Sequence, residues 1–390
     1  MRVLHLLDHS APRRSDYSRR TQALLQGLRM QGVQTVHLTG PAHAAGDVPG
    51  EGWHFYRTPV PRRRLPLIGR AEPGSRLGAA MSTAALALRL RQVAKLTRPD
   101  LIHVHLPSAN AVAAWPVARL AKIPLVVGAE RRGHAAPAFP FARAERWALG
   151  AAQAIAAGTA QVRAALRADG LGARTIAVIP PAPDLSPGRL ASARMPDLLG
   201  APLLAYAGGL MPEDGLDLLL AAMAQLRREY PSLRLLVAAG GPEEARFDRR
   251  LGQSSLRGHV VFAGPLSYRR AADVLPRADI AVFPGLGCEP SFEPSRHLLN
   301  AMAQGCAVVA SDLACHRELL VHGHSGFLFE AGKRDALVKA IQELLAEPWR
   351  IDALGKAACE FMTTRRSWAL TAARYRRVYE KVLSKRDASR

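Results

Sequence analysis

The stretch EPSFEPSRHLLNAMAQGCAVVAS, residues 289 to 311, sets Glu289, Glu293 and Asn300 around the start of a helical pattern that Ser295 and Arg296 open. Carboxylates here can accept hydrogen bonds from hydroxyls, and the amide offers both an acceptor and donors. A guanidinium beside a helix N-terminus adds to a local positive field that suits an anion. Two glycine pairs supply a second device. Gly208 with Gly209, and Gly240 with Gly241, close apolar runs, and without side chains their backbone N–H groups can approach a diphosphate. The same pairs also fit ordinary strand-to-helix turns, and taken alone they favour that reading. His105 ends the run DLIHVHL, where its side chain is expected at the mouth of a cleft. A lone strand-end histidine is more often a hydrogen-bonding residue than a catalytic one. His103, two residues earlier on the same strand face, reads as core-supporting.

These residues need elements to hold them, and the apolar pattern supplies two series. RVLHLL (2 to 7), VQTVHLT, DLIHVHL (100 to 106), PLVVGAE (124 to 130) and TIAVIP (175 to 180) read as buried strands. Helical stretches such as YSRRTQALLQGLRMQG, with Leu24, Leu25 and Leu28 at helical spacing, separate them. The pattern breaks at SPGRLASARMPD (186 to 197), the best linker candidate. It restarts with PLLAYAG, RLLVAAG, VVFAG, IAVFPG and AVVAS, covered by helices around GLDLLLAAMAQLRREY and KRDALVKAIQELLAE. Strands alternating with helices imply parallel sheets covered on both faces. The fold class is therefore α/β, with two doubly wound domains facing across a cleft at the carboxyl ends of their strands.

At 390 residues the chain is long for one core, and 48% hydrophobic residues suffice for two. No uncharged apolar stretch is long enough to span a membrane. Asp8 and His9 interrupt the N-terminal apolar run, which reads as a strand and not as a signal peptide. Cys288, Cys306, Cys315 and Cys359 share no metal-like or paired spacing and fit a reducing cytoplasm. A formal net charge of +21 draws the surface towards anions. In PRRRLPLIGR (61 to 70), Arg62, Arg63 and Arg64 adjoin Leu65, Leu67 and Ile68, which suits either an anionic membrane surface or a solvated loop. No zinc spacing, basic zipper or aromatic-rich strand points to nucleic acid.

In order and spacing, YAGGLMPEDGLDLLLAAM, LLVAAGGPEE, VVFAGPL, LNAMAQGCAVVAS and HRELLVHGHSGFLF resemble the C-terminal domain of retaining GT-B glycosyltransferases of the family 4 type. In the first half, MRVLHLLDHSAPRRSDYSRRTQALLQGLRMQGVQTVHLT, GWHFYRTP, HVHLPS and ERRG resemble the exosortase-associated branch of that group, usually encoded among exopolysaccharide genes. The resemblance spans nearly the whole chain. It implies an N-terminal acceptor-side domain over 1–185, a C-terminal nucleotide-sugar domain over 198–365, and a helix over 366–390 crossing back to the first domain. It implies transfer from a nucleoside-diphosphate sugar to a glycan or lipid-linked acceptor, without a metal or other cofactor, in a cytoplasmic enzyme at or near the inner membrane face. It places His105 near the transferred sugar, with Glu293 and Glu289 as the acids at hand. Gly208, Gly209, Gly241, Ser295, Arg296, Asn300 and Glu318 fall to the donor, and Asp16, Tyr17, Arg20 and Arg132 to the acceptor side.

The chain also departs from the family pattern. Two glutamates eight positions apart are expected, and here those positions hold Phe292 and Asn300. An amide still serves ribose hydroxyls but loses the charge-assisted part of the bond. Where most of the family carries an arginine and a lysine for the phosphates, this chain has Gly209 and Asp214. Arg296 is the plausible substitute cation. Two readings follow: an active transferase with a rearranged donor site, or a catalytically silent homologue that binds a nucleotide sugar, a glycan or a partner as a scaffold or regulator.

Overall fold

The structure is a computed structural model that describes residues 1–9, 16–40, 53–59, 64–65, 69–70, 76–106, 109–129, 141–171, 174–183, 202–241, 243–264, 275, 278–287 and 295–388. The linker stretch 186–197 and Glu289, Phe292, Glu293, Arg132, Arg62 and Arg63 lie outside the described residues. The chain divides into two compact units, Met1–Pro181 with Trp368–Arg390, and Ala182–Ser367.

The first unit carries β1 (Arg2–Leu7), β2 (Gln34–Thr39), β3 (Phe55–Arg57), the short strands β4 (Arg64–Leu65) and β5 (Gly69–Arg70), β6 (Leu101–Val104), β7 (Leu125–Ala129), β8 (Ala154–Ala157) and β9 (Thr175–Val178). Seven of these form one sheet in the order β3-β2-β1-β6-β7-β8-β9, and its pairings are parallel. β4 and β5 pair antiparallel by themselves. Its helices are α1 (Asp16–Met30), α2 (Arg76–Thr97), α3 (Ala109–Ala121), α4 (Phe141–Ala151) and α5 (Ala160–Leu166). β8 and β3 escape the strand pattern of the sequence. AIAA is mostly alanine, a poor strand former that is tolerated here because both faces are buried.

The second unit carries β10 (Leu203–Gly209), β11 (Arg234–Gly240), β12 (Val260–Phe262), β13 (Ile280–Phe283), β14 (Ala307–Ser311) and β15 (Phe327–Phe329), ordered β12-β11-β10-β13-β14-β15 and parallel throughout. Its helices are α6 (Leu216–Leu226), α7 (Glu244–Gln253), α8 (Arg296–Ala303), α9 (Ala314–Arg317), α10 (Arg334–Ala346) and α11 (Pro348–Arg365). Along β10 the side chains alternate between two cores. Leu204 and Tyr206 join α6 and α10, whereas Leu203, Ala205 and Ala207 join α8 and α11. This two-faced burial is why the strand reads as a continuous apolar run.

The last helix, α12 (Trp368–Ala388), belongs to the first unit. Its inner face of Ala372, Tyr375, Tyr379 and Val382 packs with Val3, Leu24, Leu28 and Leu101. Spacing of three and four residues puts these on one stripe, and α1 crowds it closely enough that a Cβ at Gly27 would lie 3.0 Å from Ala372 Cβ.

A close approach of another kind shapes the second unit. Gly215 has φ +74°, and a Cβ there would meet the Pro284 carbonyl oxygen at 2.0 Å; Gly323 has the same φ with nothing within 4 Å. Alanine at Gly323 carries only the left-handed strain of about 1–2 kcal/mol. Gly215→Ala adds displacement of a backbone carbonyl, so we expect it to destabilise by about 2 kcal/mol more. Urea denaturation of the two variants measures the difference directly, and equal losses would show that the loop after β13 yields without cost.

Candidate functional site

In an open parallel sheet, ligands settle where the strand order reverses, at the carboxyl edge. The second unit reverses between β10 and β13, since β10 connects onward to β11 on one side and has β13 on the other. Gly208 and Gly209 end β10 at this point. Both are glycine for a local steric reason. A Cβ on Gly208 would lie 2.6 Å from Tyr206 Oη, and one on Gly209 would lie 2.2 Å from Asp214 Oδ2. Tyr206 folds over the strand end and donates to the Gly209 carbonyl at 2.7 Å. Burial raises the Tyr206 pKa, and the nearby Asp214 raises it further, so the phenol stays protonated.

Asp214 occupies the place where most of the family has a lysine, yet it turns back on its own loop and accepts from the Met211 N–H at 3.0 Å. Beside it, the Leu286 N–H donates to the Glu213 carbonyl at 2.9 Å and ties the loop after β13 to the loop after β10. Gly241 follows β11 with φ +148° and open space around its Cβ direction.

The helix α8 joins β13 to β14, two neighbouring parallel strands, so its N-terminus lies at the same carboxyl edge. Ser295 caps it, accepting from the His297 N–H at 3.2 Å. Such a cap satisfies one of the exposed first-turn donors. Arg296 is half-buried at the first helical position, and Asn300 is enclosed on the inner face at 2% exposure. Glu318 stands at the C-cap of α9, half-buried, with its carbonyl accepting from Arg366 Nη2 at 3.4 Å. His316, unnoticed in the sequence, closes the end of β14: its Nδ1–H donates to the Ser311 carbonyl at 2.7 Å, and burial lowers its pKa.

The first unit reverses between β1 and β6, where Asp8 and His105 follow the two strand ends. The His105 N–H donates to the Leu6 carbonyl at 3.3 Å. The Asp8 N–H donates to Tyr17 Oη at 3.1 Å, and Asn110 Nδ2 donates to the Asp8 carboxylate. A Cβ on Gly128 would sit 2.4 Å from the His105 carbonyl oxygen, which fixes that position as glycine. Tyr17, Arg20 and His105 line one small recess together with Tyr375 and Trp368. Asp16 opens α1. Asp8 and Asn110 were missed in the sequence, although Asp8 stands directly after an apolar strand, a position that by itself signals a site.

His105, expected at the mouth of a cleft, lines this recess while being itself largely enclosed. The side chain is 4% exposed and stacks on His103, with ring centroids 4.2 Å apart. Its Nε2 lies 3.0 Å from His5 Nδ1. The cause is a row of imidazoles across three parallel strands: the register pairs His5 with His37 on one side and with His103 on the other. Tyr379 Oη reaches His103 Nδ1 at 2.8 Å, and His37 bonds the His54 carbonyl and Thr35 Oγ1, both at 3.0 Å. Burial holds His5 and His103 well below the ordinary value, and it lowers His37 to about 4.

Donor atoms of His5, His103 and His105 lie within 4.8 Å of one another. A dication there would enter a fully buried place without a carboxylate in the set, close enough to Arg29 for its charge to disfavour a proton on His5. An uncompensated buried charge is costly, and three of the nitrogens, His5 Nδ1, His105 Nε2 and His103 Nδ1, already have partners, which leaves His5 Nε2 and His103 Nε2 buried without one. The donor set fits a neutral hydrogen-bonded network better than a metal centre.

Two family models match these two units. Residues 17–182 match a glycosyl transferase 4-like domain and residues 201–347 match glycosyl transferases group 1. The chain is built as a family 4-type glycosyltransferase. Among curated relatives, a phosphatidyl-myo-inositol mannosyltransferase of Mycolicibacterium smegmatis is 33% identical over 171 residues, 44% of this chain and 42% of that protein. The match thus spans less than half the length of that relative. A 2-deoxystreptamine glucosyltransferase of Streptomyces kanamyceticus is 26% identical over 94% of this chain and 98% of its own. Among solved structures, sucrose-phosphate synthase from Thermosynechococcus elongatus superposes with a TM-score of 0.75 at 18% identity, covering 98% of this chain and 99% of that one. HepE from Anabaena, solved with UDP, does so with a TM-score of 0.70 at 17% identity, covering 98% and 100%. The two Rossmann-like parallel sheets are those of the GT-B fold. Among the described residues, no helix of this glycosyltransferase is long and apolar enough to cross a membrane.

Proposed function

We propose that this glycosyltransferase moves a sugar with retention from a nucleoside-diphosphate sugar to a glycan or lipid-linked acceptor, in exopolysaccharide or other cell-surface glycan synthesis. The observation that carries the reading is the switch point of the second unit. There, two side-chain-free positions at the end of β10 and the N-terminus of α8 come to one sheet edge, a chemistry suited to a diphosphate. Relatives point the same way: one is named as GDP-mannose-dependent, and HepE was solved with UDP-glucose. The leaving diphosphate is stabilised by backbone N–H groups and by Arg296, without a metal or other cofactor. Asn300 serves the ribose, Glu289 or Glu293 the sugar, and His105 lies on the sugar's far side. Gly241, Ser295 and Glu318 complete the donor site, and Asp16, Tyr17, Arg20 and Arg132 the acceptor side. The protein works in the cytoplasm, held to the anionic inner membrane face through Arg62, Arg63 and Arg64.

A second reading is favoured by one observation: Asp214, where the family carries a cation, occupies the space above Gly209. On that reading the protein binds nucleotide sugar or glycan without transfer. Binding and hydrolysis of UDP-, GDP- and ADP-sugars by wild type and Asn300→Glu separate the two. Hydrolysis of one donor class, kept or strengthened in the variant, is the expected outcome. Binding without turnover in both proteins would favour the silent homologue, and no binding of any donor would end both.

A further inference from the structure

At the opposite, amino edge of the first unit's sheet runs a groove of about 1460 Å³. Three elements wall it. The end of α3 brings Arg119 and Lys122, Arg174 stands just before β9, and α12 brings Arg377, Lys381 and Lys385. All six are exposed, and no carboxylate is among the described residues that line the groove. The site residues at the carboxyl edge do not account for this cluster. Arg377, Lys381 and Lys385 recur every fourth residue, so they share one helix face and step along it by about 6 Å. The floor holds a tryptophan pair, Trp115 and Trp147, with ring centroids 3.6 Å apart. Trp115 is half-buried with Arg119 over its ring at 5.7 Å, whereas Trp147 is 51% exposed.

We propose that this groove binds an acidic oligosaccharide segment, a glycan chain that carries carboxylates. Single-sign cations lining a concavity focus the potential and draw in a polyanion. The spaced row on α12 suits charges repeating along a chain, and an exposed indole face suits the apolar face of a sugar ring. The groove is concave, which a flat bilayer does not fill. Among the described residues it offers one open aromatic face, Trp147, where single-stranded nucleic acid uses several in succession. The choice of a glycan rests on the proposed function above, whose product would be a glycan, and its acidity rests on the cations of the groove; the groove then holds glycan away from the reacting end.

The test is calorimetric titration with hexagalacturonate at low salt, beside neutral maltohexaose, an oligodeoxythymidylate and phosphatidylglycerol vesicles. Hexagalacturonate should bind, weaken with added salt, and lose affinity about tenfold or more in the double variant Arg377→Glu with Lys381→Glu. Trp147→Ala should weaken it further without changing the salt dependence. Both variants alter exposed side chains, so circular dichroism should match wild type. Donor hydrolysis run in parallel reports on the proposed transferase site and not on the groove: its absence would strike the transferase reading, while hexagalacturonate binding would still support the groove. Equal binding of maltohexaose, tighter binding of the oligonucleotide or the vesicles, or affinity indifferent to the charge reversals would overturn the proposal.

Discussion

Acidification is expected to unfold the first unit ahead of the second, with the loss beginning below the ordinary histidine value of 6.5 and, for His37, running to about 4. His5, His37 and His103 stay neutral in the fold because burial disfavours their charged forms. Of the groups facing them, the His54 carbonyl bonds His37 and relieves it in part; Arg29 is a cation, His54 and His105 are further imidazoles, and Tyr379 is a phenol that burial keeps protonated. Above 6.5 neither the folded nor the unfolded chain protonates these rings, and stability is insensitive to pH. Below 6.5 the unfolded chain takes up protons that the folded one refuses, so stability falls until the folded value is reached. For His37 that interval corresponds to about 3 kcal/mol. Three such rings give a slope of up to about 4 kcal/mol per pH unit, against a total of about 5–15 kcal/mol for a domain. Among the described residues of the second unit the comparable group is His316, whose lowering by burial is partly offset by its bond to Ser311 and by Asp312.

Four of the five tryptophans, Trp53, Trp115, Trp147 and Trp368, belong to the first unit, so indole fluorescence during urea titrations follows its unfolding. His37→Gln should flatten the dependence by about one proton. A urea midpoint that stays level across this interval would mean that the imidazoles become charged in the native state, and the network described above would have to open.

Much of the fold was legible because the strands bury both faces. RVLHLL and RLLVAAG are largely apolar, and their limits coincide with β1 and β11. The short β3 and the alanine strand β8 were not legible, since three residues or a run of alanines carry no period. The site was legible only in its local parts. Gly208 and Gly209 stood out, but whether they serve a ligand or a turn depends on Tyr206 and Asp214, whose approach is a matter of three-dimensional clearance. The imidazole row was hidden for the same reason. His5, His37 and His103 are distant in sequence and meet only through parallel register, which no single-strand pattern encodes. His105 was legible as a strand-end residue, but its contacts with His5 and His103 were not.

Arg296→Ala is expected to lower turnover about hundredfold, because this chain has few ways to stabilise a departing diphosphate. Gly209 and Asp214 stand where cations are expected, and Asp214 commits its carboxylate to the Met211 N–H. Among the described residues at the carboxyl edge of the second unit, that leaves the oriented N–H groups after β10, the first turn of α8, and the guanidinium of Arg296 on that turn. The Ser295 cap already takes the His297 N–H, which raises the share left to Arg296. Removing one preorganised donor from such a site costs about 3 kcal/mol, equivalent to the expected hundredfold. Because the term acts on charge that develops as the bond breaks, kcat should fall more than KM rises. Arg296→Lys should recover part of the rate: it restores the charge but not the planar fork. Arg296 is half-buried at a helix start, so matched thermal stability of the variants must accompany the kinetics. Turnover within about threefold of wild type, in a protein as stable as wild type, would move the phosphate away from α8 and would leave the assignment of the fold untouched.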